Sequence, residues 1–96
     1  MNSPEIRNYI KTYSHLFWYI PENKKKDISE DILVETVLNY GNLEAIKKLL
    51  NIFGIEKTAV IFYRTIHSSE RRKGNYHELT LNYFTLFFKR HAPGNP

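Results

Sequence analysis

Two glycines constrain this chain more than any other feature. Gly41 and Gly54 each interrupt a run of apolar residues at helical spacing, and neither interruption leaves room for a loop. Before Gly41, Ile28, Ile32, Leu33, Val37 and Tyr40 are able to share one buried face. Between the glycines, Leu43, Ile46, Leu49, Leu50 and Phe53 form a clean apolar stripe. After Gly54, the stretch Glu56 to Ile66 is apolar nearly all round at its centre, which predicts the most buried helix of the molecule. Glycine suits the left-handed position after a helix end, and Asn42 follows Gly41 at once as an N-cap for the next helix. Helices joined this tightly must pack as successive antiparallel or steeply crossed neighbours. Strand-like alternation is absent, so the predicted fold class is all-α, a small irregular bundle of four to five helices.

The outer segments follow the same logic. Ser3 reads as an N-cap with Pro4 at the first helical position, where a missing N–H is harmless. Ile6, Tyr9, Ile10, Tyr13, Leu16, Phe17 and Ile20 then keep helical spacing up to Pro21, with a break near Ser14-His15 that gives a short second piece. Asp27 with Glu30 has the form of a capping box, and so has Asn75 with Glu78. In the last segment Tyr76, Thr80, Tyr83, Phe84, Phe87 and Phe88 are expected on one side, and Lys89, Arg90 and His91 complement the helix dipole. With 96 residues, 42% of them apolar and 15% aromatic, the chain has material for one core. The predicted organisation is a single helical domain over 1–91 and a flexible tail over 92–96.

The sequence contains no cysteine, which excludes disulfides and Cys-based zinc sites. That usage, with no signal peptide at Met1-Asn2-Ser3-Pro4-Glu5, fits a cytoplasmic protein. No stretch approaches the roughly 20 apolar residues of a membrane span, so no membrane association is expected. His15, His67, His77 and His91 show no paired spacing on a helix, and there is no phosphate-binding glycine loop. No metal, no cofactor and no catalytic function are therefore expected.

Two features stand out as contact candidates. Phe17, Trp18 and Tyr19 are consecutive and are unable all to face one core, so at least one ring is expected at an interface, where Trp and Tyr act as anchors. Arg71, Arg72 and Lys73 form a contiguous basic loop suited to carboxylate or phosphate, and the net charge of +4 is compatible with nucleic acid as well as an acidic protein surface. Helices on either side of Gly54 could form a helix-turn-helix, but its second helix offers only Lys57 and Arg64 to DNA. The spacing from Arg72 to His77 resembles the short Arg-and-His motif of the HEPN ribonucleases, in which the Arg would stabilise a phosphoryl transition state and the His would move a proton.

A broader likeness runs through Leu16-Phe17-Trp18, Val37-Leu38-Asn39-Tyr40-Gly41-Asn42-Leu43, Leu49-Leu50, Phe53-Gly54 and Thr80-Leu81-Asn82-Tyr83-Phe84. In these residues the chain resembles a small helical bacterial family of unknown function, encoded beside nucleotidyltransferase toxins of the AbiEii class. It departs from that pattern in a longer, more basic segment around Ser68 to Gly74, and in Tyr83-Phe84 where the family carries Trp. The resemblance implies an antitoxin-like or toxin-accessory module whose partner is a protein, such as a nucleotidyltransferase-type toxin. Nucleic-acid binding is the second reading and a HEPN-like ribonuclease the third; self-association is compatible with each.

Overall fold

A computed structural model of the chain describes residues 3–25, 27–68 and 76–92. Among them are six α-helices and no strand: α1 (Pro4–Thr12), α2 (Glu22–Lys25), α3 (Glu30–Tyr40), α4 (Leu43–Phe53), α5 (Ile55–Ser68) and α6 (Glu78–His91). A 3-10 turn, Ser14–Phe17, lies between α1 and α2. The molecule is an all-α fold. None of these helices is long and apolar enough to cross a membrane.

Local side chains set the helix starts. Ser3 Oγ accepts the Ile6 N–H at 3.3 Å, Ser29 Oγ accepts the Ile32 N–H at 3.3 Å, and Asn42 Oδ1 accepts the Ala45 N–H at 2.9 Å. Each satisfies a backbone donor that the first helical turn leaves unpaired. Ser29, rather than Asp27, caps α3. Ser29 has the extended backbone an N-cap requires, at φ −67° and ψ 156°, whereas the Asp27 N–H is tied back to the Lys24 carbonyl in a turn. α6 has His77 at its N-cap position and no side-chain cap hydrogen bond; Asn75, proposed as its cap, lies outside the described residues.

The two glycines act by different physics. Gly54 has φ 84° and ψ 150°, a conformation nearly reserved for glycine, although a Cβ there would meet nothing. Gly41 has φ −74° and ψ 150°, an ordinary extended backbone rather than the left-handed one expected. It is glycine because of crowding: a Cβ would lie 2.6 Å from the Val37 carbonyl oxygen, the acceptor of the Gly41 N–H.

α3 and α5 form the centre. α3 buries six consecutive residues, Leu33 to Leu38, so it rivals α5 as the most enclosed helix. α5 buries Thr58, Ala59, Ile61, Phe62, Tyr63 and Thr65, but Val60 is 45% exposed and not in the core as its sequence suggests. The two buried threonines cost little because their hydroxyls are paired. Thr58 donates to the Gly54 carbonyl at 2.8 Å and Thr65 to the Phe62 carbonyl at 2.7 Å. Leu49 and Phe84 are core residues, whereas Leu50, Phe53 and Phe87 are half-buried. Ala92, expected in the tail, is buried, and its N–H continues the helix by bonding the Phe88 carbonyl at 2.8 Å; residues 93–96 lie outside the described residues.

Both Gly54→Ala and Gly41→Ala should destabilise the fold, the first by about 1–3 kcal/mol through backbone strain and the second through displacement of the Val37 carbonyl. Val60→Ala should stay within about 1 kcal/mol of the parent. Urea unfolding of the three variants measures this; a neutral Gly54→Ala would contradict the assigned backbone.

Candidate interaction surface

The chain does not continue as an α-helix from Pro4 to Ile20. α1 stops at Thr12, Tyr13 takes φ −107° and ψ 29°, and the tighter 3-10 turn follows. The change of pitch splays the aromatic run. Leu16 and Phe17 turn into the core, with Phe17 wholly enclosed, while Trp18 is 76% and Tyr19 48% exposed. Phe17 is therefore a packing residue, not part of an exposed contact patch, and the outward-facing rings of the run are Trp18 and Tyr19.

These two rings meet edge to face, with centroids 5.7 Å apart. The Tyr19 hydroxyl is hydrogen-bonded to the Thr36 hydroxyl on α3, which fixes the tyrosine and gives Trp18 a firm neighbour. Trp18 and Tyr19 border a shallow hollow of about 440 Å³ whose far side is Ile32, Asn39 and Tyr40 on α3. Tyr40, predicted from its spacing to be buried, is instead 51% exposed. It is the last residue of α3, where the helix leaves the core. Its ring meets His77 edge to face at 5.1 Å, and Asn39 Oδ1 accepts the His77 N–H at 3.0 Å. Residues remote in sequence thus line one aromatic shelf, Trp18, Tyr19 and Tyr40, with His77 packed against Tyr40. Spacing alone did not reveal Tyr40 and His77, since nothing in the sequence shows that the end of α3 meets the start of α6.

Arg71, Arg72 and Lys73, the basic half of the predicted contact set, lie outside the described residues. The other half of the Arg72–His77 spacing is described: His77 stands exposed at the head of α6 against Tyr40. The two cations of the helix-turn-helix reading are engaged elsewhere. Lys57 Nζ lies 3.0 Å from Glu30 and Arg64 forks onto Asp31, so both α5 cations sit against carboxylates of α3. Exposed pairs of this kind add little stability, but the adjacent carboxylates oppose a phosphate backbone at this face.

A second cleft, about 320 Å³, lies between α1 and α4 around Tyr9, Tyr13 and Lys48. The Tyr9 hydroxyl donates to the Ala45 carbonyl at 2.6 Å. Burial, with a smaller contribution from nearby Tyr13, raises the Tyr9 pKa well above the ordinary phenol value. Lys48 is also raised, first by its hydrogen bond to Glu44 and then by Tyr13. Both groups therefore hold their protons through neutral pH, which suits structure better than general-base work. Among the described residues, no group of three His, Asp or Glu side chains is placed to hold a metal ion.

Comparison of the chain with protein-family models, with curated proteins and with solved structures finds no match.

The Tyr9 phenol predicts an alkaline transition. Its folded pKa is raised, so its contribution is fully present below the phenol's ordinary value near 10 and is lost as pH climbs above it and the unfolded chain ionises. Tyr9→Phe should cost about 0.5–1.5 kcal/mol at neutral pH by removing one buried hydrogen bond, the Ala45 carbonyl remaining within the helical ladder of α4, and should flatten the loss of stability above pH 10. Unfolding curves and tyrosinate absorbance across alkaline pH test both; an unchanged alkaline slope would place Tyr9 in water.

Proposed function

We propose that the chain is a non-catalytic protein-interaction module that engages its partner through the Trp18–Tyr19–Tyr40 shelf, assisted by the basic segment Arg71-Arg72-Lys73. The observation that carries this reading is the Trp18 ring, 76% exposed and standing against a tyrosine held in place by Thr36. An exposed tryptophan gives up apolar contact with the chain's own core, and one with a fixed neighbour loses little further freedom on binding. Such rings concentrate binding energy at protein interfaces. The nucleotidyltransferase-toxin partner, and with it the antitoxin-like or accessory role, rests on the sequence resemblance alone. A place in the cytoplasm belongs to the same reading.

The aromatic and basic features should behave differently. Affinity capture from the native host, followed by binding kinetics on the captured protein, should show Trp18→Ala weakening the complex by about thirtyfold or more at any salt. Neutralising Arg71, Arg72 and Lys73 should chiefly slow association, an effect that fades as the Debye length shrinks from about 8 Å at physiological salt to about 3 Å at 1 M. Capture of nucleic acid instead, with affinity lost in the basic variant and untouched by Trp18→Ala, would replace this reading with nucleic-acid binding.

A non-catalytic module should also leave single-stranded RNA intact. Cleavage by the purified protein that His77→Ala abolishes, with the helical spectrum unchanged, would make the chain a ribonuclease.

A further inference from the structure

α6 carries two apolar sides, and the core uses only one. Phe84 and Phe88 are buried. On another side Leu79, Tyr83 and Leu86 are 83%, 60% and 68% exposed, and Arg90 is exposed in line with them. These four residues are spaced four, three and four apart, the seam spacing by which one helix receives another along its length. Glu78, Asn82, Thr85 and Lys89 supply a polar arc, so the stripe is not simply what an apolar helix leaves outside.

The stripe continues into a second feature. Between α4 and α6 runs an apolar groove of about 450 Å³ whose walls include Leu43, Ile46 and Leu50 on one side and Leu79, Tyr83 and Phe87 on the other. Leu43 is itself 68% exposed. A helix lying on the α6 seam would cover Leu43 and close the groove.

We infer that this helix is α6 of a second copy, packed antiparallel about a two-fold axis that passes between Tyr83 and Leu86. The charge pattern selects this occupant. α6 has an acid in its first turn, Glu78, and Lys89, Arg90 and His91 in its last, with the apolar stripe between them. Antiparallel pairing with Tyr83 opposite Leu86 of the second copy sets Leu79 opposite Arg90. The Arg90 stem then lies over the leucine while its guanidinium reaches Glu78. The same contact recurs on the other side of the axis, as a two-fold interface requires. A parallel pair would place the two basic ends together. The antiparallel pair also sets the helix dipoles head to tail. The interface is one helix and the edge of another, small beside the roughly 800 Å² per partner of a stable complex, so the dimer is reversible and dissociates on dilution.

Sedimentation equilibrium of the full chain over a wide concentration range tests this. The mass should rise from the 11.5 kDa of one chain towards twice that value. Leu86→Lys, at an exposed position that the fold does not need, should weaken the dimer by about tenfold or more, with an unchanged helical spectrum. Glu78→Arg and Arg90→Glu should each weaken it, and the two together should restore it to within about threefold of the parent. A parent chain that stays monomeric at millimolar concentration overturns the proposal, as does a dimer indifferent to Leu86→Lys or a charge swap that fails to restore it. A monomer that takes up a foreign amphipathic helix in the groove overturns it equally. Trp18→Ala should leave the dimer unchanged, so this test and that of the interaction shelf fail separately.

Discussion

The ring of Phe62 ties both ends of α6 to α5. It is fully enclosed on α5 and meets Tyr63, Tyr76 and Phe88 at 5.2–5.5 Å between centroids. Tyr76 and Phe88 bracket α6, so one side chain fixes both the start and the finish of that helix against α5. A hydroxyl pair reinforces the contact. Thr65 gives its only hydroxyl proton to the Phe62 carbonyl at 2.7 Å, so in the 2.9 Å contact between them the Tyr76 hydroxyl donates to Thr65. Rings set at an angle to one another contribute beyond their buried area, and a buried hydroxyl pair that is fully satisfied adds direction to non-directional packing.

The placement of α6 creates both candidate surfaces. Its N-cap residue, His77, meets Tyr40, the residue that closes the far side of the shelf begun by Trp18 and Tyr19. Its length runs beside α4, which opens the apolar groove between them. Phe84 and Phe87 spread the aromatic contact sideways, and Tyr83 stacks on Phe87 at 6.0 Å from the solvent side. Exposed and buried rings on α6 thus belong to one connected cluster. Any partner that binds the folded chain on that face would steady the fold by mass action.

Much of the helical architecture was legible because its signals are local. Ser3, Pro4, Asn42 and Gly54 act on atoms within a turn of themselves, and the structure uses each where the sequence places it. The misread exposures share one cause: spacing reports a side but not where that side ends. Tyr40 and Tyr83 have the spacing of core residues, yet Tyr40 closes a helix as it leaves the core and Tyr83 lies a step round α6 from Phe84 and Phe88. Val60 stands in an apolar run, but α5 is not enclosed all round. Asp27 and Ser29 are both good caps in composition, and the choice fell to Ser29 because the backbone there is extended. Gly41 was correctly expected at a joint for the wrong reason, since its need is room beside the Val37 carbonyl.

The aromatic run Leu16 to Ile20 shows how a small change of backbone pitch becomes a change of role. A continuous α-helix would advance about 100° at each residue, carrying Phe17 and Trp18 round in the same stride as Tyr9 and Tyr13. The 3-10 turn advances about 120°, and over its four residues the accumulated difference is most of one residue's step. That phase shift accompanies a division in which Phe17 is inside and Trp18 outside. The turn is held by short backbone bonds, Leu16 N–H to the Tyr13 carbonyl at 2.9 Å and Ile20 N–H to the Phe17 carbonyl at 3.0 Å, and beyond it by the Tyr19–Thr36 hydroxyl pair. Lys25, whose ammonium reaches the Ser14 carbonyl at 3.4 Å, braces its other side. The exposed tryptophan is therefore not a loose ring at a chain bend. It projects from a segment anchored at Phe17 beneath it and Tyr19 beside it, which is the arrangement that lets a single side chain bear much of a binding interface.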